Sequence, residues 1–288
     1  MTELYTTVVD ADVLGAHIGN PKWVVLDCRF VLGEPEAGQE DYALGHLPGA
    51  QYADLERDLS GPRVPGAGRH PLPTALAFRE TLGRWGITPD SQVVAYDEAS
   101  AVFASRLWWM LRHFCGHKAV AVLNGGLSAW LRLGLPVAQE LPHARSAPPY
   151  PAYVPAVDTL VDTDTVADVV AGRAPRLLID ARGPDRFRGA VEPLDPVAGH
   201  IPGAINRPFG KNLCADDTFC SPEVLRQAFV GLIGERGGKE VVHYCGSGVS
   251  ACHNILAMEI AGYGATTLYP GSWSAWVSDT THPVVQGP

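Results

Sequence analysis

The chain contains the same series of sequence blocks twice, in the same order. Four blocks of the first half recur in the second half with nearly constant spacing: WVVLDCR (23–29) as RLLIDAR (176–182), GHLPGA (45–50) as GHIPGA (199–204), VVAYDEASA (93–101) as VVHYCGSGV (241–249), and GGLSAW (125–130) as GSWSAW (271–276). Self-similarity at a fixed long period indicates that one structural unit is used more than once. We therefore predict two equivalent domains.

A proline-rich stretch separates the two copies. AQELPHARSAPPYPAYVPAVD, at 138–158, has five prolines, a composition that favours an extended, semi-rigid connector over a helix or an inner strand. We predict a first domain over 1–140, a linker over 141–157 and a second domain over 158–288. With 288 residues, the chain is long enough for each domain to bury its own core.

Each copy alternates short apolar runs with longer amphipathic segments. In the second copy, RLLIDA and VVHY are bounded runs of strand length, whereas SPEVLRQAFVGLIG and VSACHNILAMEIAGY have helical spacing. Ser221 before Pro222 is typical of a helix N-cap followed by proline at the first helical position. The alternation predicts an α/β fold in which each domain has a mainly parallel sheet with helices on both faces.

Two repeated features predict structural roles. His46 and His200 recur within the GHxPGA blocks, so we expect turns in which each imidazole bonds to nearby backbone. Asp27 and Asp180 each end a strand-like run and are followed two residues later by an arginine. This spacing predicts a buried, charge-assisted pair that orders the loops.

Cys245 lies at the seam between the strand-like run VVHY and the start of a helix. In open α/β sheets, ligands bind beyond the carboxyl ends of strands, where the following helix presents unpaired amides. Gly246 and Gly248 let the backbone curl so that N–H groups of residues 246–251 can converge on the sulfur, and a helix beginning near Val249 adds positive potential. Both effects favour the thiolate, so we expect Cys245 to be a nucleophile.

The charge and the apolar pattern exclude several classes of partner. A count of 22 Lys and Arg against 31 Asp and Glu gives a formal net charge of −9, which argues against nucleic acid and anionic lipid as general partners. No apolar run approaches the roughly 18 residues of a membrane span. The start MTELYTTVVDADVLG lacks the features of a signal peptide, so we expect a cytoplasmic location with all six cysteines reduced. No metal-site spacing is present, and we expect neither a metal nor a cofactor.

The loop CGSGVSA after a strand, the paired GHxPGA blocks and the GSWSAW ending resemble the tandem-rhodanese sulfurtransferases, most of all the 3-mercaptopyruvate sulfurtransferases. The resemblance covers essentially the whole chain. It implies that Cys245 takes sulfur from a small-molecule donor, becomes a persulfide and passes the sulfur to a thiol, thioredoxin or cyanide. The first half should be catalytically silent, because Asp97 stands at the position of Cys245 and a carboxylate cannot form a persulfide.

The resemblance implies further site residues. The catalytic loop would bind the donor and its sulfur through five residues: Gly246, Ser247, Gly248, Val249 and Ser250. Ser247, His70 in GRHPLP and Glu56 in YADLERDLS match a proton relay that would protonate the enolate of pyruvate, a general-acid role natural for histidine. Arg186 in DARGPDRFRG matches an arginine whose planar fork would hold the donor carboxylate.

One position departs from the family pattern and bears on the donor. A second arginine, expected in an EPR-like stretch before GHIPGA, is replaced by Leu194. We favour 3-mercaptopyruvate because Gly246 and Ser247 are uncharged, whereas thiosulfate-preferring relatives carry basic residues beside the cysteine. A thiosulfate:cyanide sulfurtransferase and a sulfur-carrier module without efficient turnover are the alternatives. A C-x5-R phosphatase or an arsenate reductase is disfavoured, because Ala251 stands where an arginine would bind the oxyanion.

Overall fold

The computed structural model of the chain describes residues 4–142, 146–155 and 157–288, which form two compact units. Unit 1 and unit 2 have the following segments: Met1–Gly61, Pro73–Ala156 and Ala215–Phe219 in unit 1, and Pro62–Leu72, Val157–Cys214 and Cys220–Pro288 in unit 2. The units thus differ from the two sequence halves. Each half contributes one short segment, 62–72 or 215–219, to the unit built mainly from the other half.

The linker predicted over 141–157 is described in part, because 143–145 and 156 lie outside the described residues. Within it, the Tyr150 N–H donates to the Arg79 carbonyl at 3.1 Å, and Arg79 Nε donates to the Tyr150 carbonyl at 2.6 Å. These paired bonds attach the middle of the linker to unit 1.

Five parallel strands form the sheet of unit 1. They are β1 (Val8–Val9), β2 (Trp23–Asp27), β3 (Gln51–Tyr52), β4 (Gln92–Tyr96) and β5 (Val120–Leu123), and their spatial order is β1-β5-β4-β2-β3. The helices are α1 (Ala11–Gly15), α2 (Ala37–Leu44), α3 (Ala75–Arg84), α4 (Val102–Trp109), continued by a π-helical turn at Met110–Phe114, and α5 (Gly126–Arg132). Every residue of β2, β4 and β5 is buried, as expected for a parallel sheet covered on both faces.

One face of this sheet packs against α1 and α5. Val25 and Val94, on adjacent strands, form a buried cluster with Leu14 of α1 and Trp130 of α5. The parallel register continues to the pair of Asp27 with Tyr96, which aligns the carboxyl ends of β2 and β4 at one edge. The loops that follow these strands therefore leave the sheet together.

Unit 2 repeats this architecture with four parallel strands. They are β6 (Leu177–Asp180), β7 (Ile205–Asn206), β8 (Val241–Tyr244) and β9 (Thr267–Leu268), in the spatial order β7-β6-β8-β9. The helices are α6 (Thr163–Val170), α7 (Pro184–Phe187), α8 (Pro222–Ile233), α9 (Ala251–Ile260) and α10 (Ser272–Trp276), with 3₁₀ turns at Val157–Thr159, Phe209–Asn212 and Gly238–Glu240. The predicted α/β fold with two parallel-sheet units is confirmed.

The helix starts of unit 2 follow the sequence closely. Ser221 caps α8, its Oγ accepting the Val224 N–H at 3.4 Å, and proline occupies the first helical position as predicted. Regular α-helix in α9 begins at Ala251, two residues after the predicted start, because the Cys252 N–H bonds three residues back to the Val249 carbonyl. Among the described helices, none combines the length and apolar character that crossing a bilayer requires.

A buried arginine–aspartate ion pair lies at the end of the equivalent strand of each repeat, β2 and β6, as predicted. Arg29 Nη2 lies 2.6 Å from Asp27 Oδ2, and Arg182 Nη2 lies 2.7 Å from Asp180 Oδ2. Each guanidinium also donates to the carbonyl of the first glycine of its GHxPGA block, at 2.6 and 2.7 Å. The pair thus ties the end of the strand to the turn.

The repeated histidines have the structural role that the sequence predicts. His46 Nδ1 lies 2.8 Å from the Tyr42 carbonyl, and His200 Nδ1 lies 2.8 Å from the Phe187 carbonyl. Each imidazole stacks on the ring of the same partner residue, with centroid distances of 4.0 and 3.7 Å. Both histidines therefore brace turns.

Cys214 and Cys220 form a disulfide bridge in unit 2, so the expectation that all six cysteines stay reduced is wrong at this pair. Their Cα atoms lie 5.1 Å apart, within the range that a disulfide spans. Cys28, Cys115 and Cys252 are buried free thiols, as is Cys245.

The strand-end pair of unit 2 yields a stability prediction. Arg182→Ala should lower the free energy of unfolding by about 3–5 kcal/mol, because it leaves the Asp180 carboxylate buried without its cation. Arg173→Ala is the matched control: Arg173 Nη2 lies 2.6 Å from Asp168 Oδ1, but both side chains are more than half exposed, so the loss should stay below about 1 kcal/mol. Urea unfolding measures both values, and equal losses would contradict the role of burial.

Candidate active site

Cys245 directly follows β8, and hydrogen bonds of its main-chain N–H and carbonyl groups fix its position. Its N–H donates to Ser272 Oγ at 3.1 Å, and its carbonyl accepts the Trp273 N–H at 3.0 Å. The next carbonyl, of Gly246, accepts the Ser274 N–H at 2.9 Å. The start of α10 therefore fixes the cysteine at the carboxyl end of the sheet.

The loop after Cys245 turns tightly at Gly248. This glycine has a φ of +77°, and a Cβ at its position would lie 2.4 Å from the Pro270 carbonyl oxygen. A side chain would be strained in that conformation and would collide with backbone. Gly248 thus permits the curl that the sequence predicts between Cys245 and α9.

Several main-chain N–H groups of this loop have no acceptor among the residues that the structure describes. Within the described part of the chain, the N–H groups of Gly246, Ser247, Val249 and Ser250 donate no hydrogen bond to another protein group. Helix α9 begins immediately afterwards and has no side-chain N-cap bond. N–H groups that donate no hydrogen bond within the protein, at a helix N-terminus, can bind an anion.

Ser247 and His70 form a buried pair in this loop. His70 Nδ1 lies 2.7 Å from Ser247 Oγ, and the two residues are 3% and 6% exposed. His70 reaches the loop because the segment 62–72 belongs to unit 2. The structure thus brings together two of the three residues assigned to the relay. Glu56 belongs to unit 1, where its side chain is exposed and its N–H donates to Asp54 Oδ1 at 2.8 Å.

Arg186, in α7, lies against the loop that follows Cys245. A Cβ placed on Gly246 would lie 3.3 Å from both Nη1 and Nη2 of Arg186. Glu192 holds the guanidinium through Nε at 3.1 Å and Nη2 at 2.7 Å. Burial alone would raise the pKa of Glu192, but the hydrogen bond and charge of Arg186, with Arg182 nearby, hold that pKa below its usual value. The Glu192 carboxylate therefore forms an ion pair with Arg186 and fixes the orientation of its guanidinium.

Arg69 is a second cation beside the loop, and the sequence reasoning missed it. Its Nη2 would lie 3.0 Å from a Cβ on Gly246, and its main-chain N–H donates to Ser274 Oγ at 3.0 Å. The guanidinium forms an ion pair through Nη1 with the buried carboxylate of Asp195, whose other oxygen lies 3.5 Å from Arg186 Nη2. The only sequence signal was a basic residue directly before His70.

Ser272 contacts Cys245, and the sequence reasoning missed this residue as well. It is fully buried and has a φ of +53°, a left-handed conformation that is costly for a residue other than glycine. Its hydroxyl donates to the Tyr269 carbonyl at 2.9 Å while it accepts the Cys245 N–H. The aligned repeat has Gly126 here, with a φ of +57°.

The equivalent loop of unit 1 contains its own anion. Asp97 follows β4 as Cys245 follows β8, and its carboxylate accepts the N–H groups of Ala101 at 2.8 Å, Phe103 at 2.9 Å and Ala104 at 3.3 Å. Burial raises the pKa of Asp97 to about 6 against the lowering effect of these bonds. Of these three N–H groups, only that of Ala101 is the counterpart, in the aligned blocks, of a loop N–H group named above for unit 2, that of Val249; Phe103 and Ala104 belong to the first turn of α4.

The remaining free thiols lie in different surroundings. Burial raises the pKa of Cys115 to about 12 and that of Cys28 well above its usual value. Cys252 lies within α9, and its thiol donates to the Gly248 carbonyl at 3.4 Å. These contacts are typical of cysteines that pack as small apolar residues.

Comparisons with known proteins agree with the repeat and the loop. Residues 10–133 and 163–279 match the family model described as Rhodanese-like domain. The chain is 44% identical over 281 residues to a Pseudomonas aeruginosa protein named Probable 3-mercaptopyruvate sulfurtransferase, covering 97% of this chain and 98% of the relative. It is 33% identical over 289 residues to the thiosulfate sulfurtransferase of Gallus gallus, covering 92% and 95%. The solved structure of 3-mercaptopyruvate sulfurtransferase from Leishmania major matches with a TM-score of 0.81 and 30% identity, covering 93% of this chain and 73% of that one.

Proposed function

Because this chain belongs to the rhodanese family and is a sulfurtransferase, we propose that it transfers sulfur from 3-mercaptopyruvate to a thiol acceptor through a persulfide on Cys245. The observation that carries the proposal is the row of N–H groups after Cys245 that have no protein acceptor among the described residues. Such donors stabilise a thiolate, and they can also bind a persulfide anion, whose charge lies one atom further into the loop.

The first half-reaction forms the persulfide. The Cys245 thiolate attacks the sulfur of mercaptopyruvate, a sulfur–sulfur bond forms and the carbon–sulfur bond breaks. The electron pair of the broken bond leaves as the enolate of pyruvate, and the proton of the donor thiol ends on the methyl carbon of pyruvate. In the second half-reaction, an acceptor thiol takes the outer sulfur and Cys245 returns as a thiolate.

His70 and Ser247 are placed to move the proton in the first step. Their 2.7 Å contact lies in the loop that contains Cys245, and a histidine can both accept and donate a proton near neutral pH. We assign the pair to protonation of the departing enolate. Glu56, from the same sequence-based relay, stays a prediction.

Arg186 is proposed to hold the donor carboxylate. Its guanidinium lies beside Gly246 and is oriented by two hydrogen bonds that it donates to the Glu192 carboxylate. The loop itself contributes no charged side chain. This arrangement favours a carboxylate-bearing organic donor over thiosulfate, which is the alternative donor.

We assign the sulfur acceptor from membership of the family and from the reactivity of a persulfide toward nucleophiles. A small thiol, thioredoxin or cyanide can attack the outer sulfur, and we propose a cytoplasmic setting because reduced thiols are abundant there. A phosphatase or arsenate reductase is disfavoured, since Ala251 offers an oxyanion no charged partner.

The nucleophile is tested by comparing two cysteine variants. Cys245→Ser should abolish pyruvate release and should never gain the mass of one sulfur atom after exposure to mercaptopyruvate, because serine cannot form a persulfide. Cys252→Ser, seven residues further in the same segment, should keep both properties. Intact-protein mass spectrometry and a pyruvate assay provide the readouts, and sulfur loading that persists in Cys245→Ser would contradict the proposal.

The proton relay is tested with two donors. His70→Gln should lower kcat with mercaptopyruvate by about 100-fold or more, because the enolate must be protonated as it leaves. With thiosulfate, the variant should retain most of its activity, since sulfite leaves without needing that proton. His282→Gln, whose imidazole instead bonds the Trp276 carbonyl, is the control. Equal losses with both donors would assign His70 a purely structural role.

A further inference from the structure

Unit 1 has a cavity beyond the carboxyl ends of β2 and β4, the place where open α/β sheets bind ligands. Its volume is about 350 Å³, which is within the range of small-molecule sites. Its wall includes the following residues, all of unit 1: Arg29, Phe30, Asp41, Asp97, Glu98 and Phe103. A carboxylate cannot form a persulfide, so the proposed function gives this cavity no role.

One nitrogen of the Arg29 guanidinium has no hydrogen-bond acceptor among the described residues. The side chain is only 9% exposed, and its Nε and Nη2 donate to Asp27 and to the Gly45 carbonyl. Nη1 makes no such bond: the Glu98 carboxylate oxygen beside it lies 3.9 Å away, beyond hydrogen-bond distance. Because an unsatisfied buried N–H costs free energy, Nη1 indicates a place for an anionic group of a ligand.

The second repeat has an acceptor for the equivalent nitrogen. Arg182, the counterpart of Arg29, donates from Nη1 to Glu192 Oε2 at 3.2 Å. Counted back from the GHxPGA block, the residue of unit 1 that corresponds to Glu192 is Gly38. A Cβ on Gly38 would collide with the Arg29 carbonyl oxygen, so this position cannot carry a carboxylate side chain. In the described part of unit 1, the acid that completes the arginine therefore has no equivalent.

The acids of the wall determine the charge that a ligand must carry. Asp27 neutralises Arg29, and the Asp97 carboxylate accepts main-chain N–H groups. The exposed carboxylates of Asp41 and Glu98 accept no hydrogen bond from the described residues, so they leave the wall negative. A ligand with a carboxylate alone would be repelled, whereas one that also carries a cationic group would be attracted.

We propose that this cavity binds a small zwitterionic α-amino acid with an apolar side chain. The ligand carboxylate accepts Arg29 Nη1, and the ammonium group pairs with Glu98 and Asp41. The 3.9 Å between Arg29 Nη1 and Glu98 Oε2 lets the two adjacent charged groups of an α-amino acid reach both atoms together. The ligand side chain contacts the rings of Phe30 and Phe103, which pack edge to face with centroids 5.6 Å apart. The site does not depend on the proposed sulfur transfer.

Titration of the ¹⁵N-labelled wild-type protein with L-norvaline, without a sulfur donor, tests the proposal by NMR. Norvaline has no thiol and cannot accept sulfur. Saturable shifts should appear at the amides of Ala101 and Phe103. Butylamine, which lacks the carboxylate, and pentanoate, which lacks the ammonium group, should bind with dissociation constants about 10-fold or more higher. Norvaline that causes no saturable shift at these two amides, or an analogue that binds as tightly as norvaline, would overturn the proposal.

Two variants of exposed acids test the wall of the cavity. Glu98→Gln keeps the shape of the side chain and removes its charge, so the dissociation constant for norvaline should rise about 3-fold or more. Glu140→Gln removes an exposed charge of unit 1 outside the cavity wall and should bind norvaline as the wild type does. Thermal unfolding verifies that both variants are folded. Equal norvaline affinity in the two variants would show that the ammonium partner is wrongly assigned.

Discussion

The proposed chemistry depends on main-chain N–H groups that donate to no protein group in the part of the chain that the structure describes. Buried donors are normally paired, because an unsatisfied group costs free energy. The loop after Cys245 carries several such groups at the start of α9, and the strand end, Ser272 and Gly248 hold it in a tight curl. In the proposed mechanism, the anionic sulfur of the persulfide accepts these N–H groups and so offsets that cost.

The two repeats differ at the residue that follows the strand, which is Asp97 in unit 1 and Cys245 in unit 2. In unit 1, the carboxylate of Asp97 accepts the N–H group of Ala101 from the loop and those of Phe103 and Ala104 from the first turn of α4. The same connections to the following helix persist: the carbonyls of Asp97 and Cys245 accept N–H bonds from Leu127 at 2.9 Å and Trp273 at 3.0 Å, respectively. The architecture is shared, but the first loop is occupied by its own side chain. Since a carboxylate cannot form a persulfide, the proposed mechanism assigns the transferred sulfur to Cys245 and not to Asp97.

Much of the fold and part of the site follow from the sequence. The repeated blocks, the strand-length apolar runs and the N-cap at Ser221 are local sequence patterns. They can be read from the sequence because they depend on neighbouring residues and not on tertiary contacts. The contact between Ser247 and His70, which are far apart in sequence, came from the resemblance to a family, and the structure shows their contact within unit 2. Arg69 and Asp195 could not be predicted, since neither has a local pattern and their ion pair depends on where the segment 62–72 packs. The left-handed conformation of Ser272 could not be predicted from the sequence, because serine, unlike the glycine at this position in the other repeat, does not indicate a positive φ.

The central claim is that loop N–H groups bind the transferred sulfur. Amide NMR of ¹⁵N-labelled protein before and after stoichiometric sulfur loading tests it directly. The account predicts large shifts for Gly246, Ser247, Val249 and Ser250, with no comparable change for Ala101 and Phe103, whose N–H groups are already bound to Asp97. A persulfide that mass spectrometry detects while the four loop resonances stay in place would contradict the account.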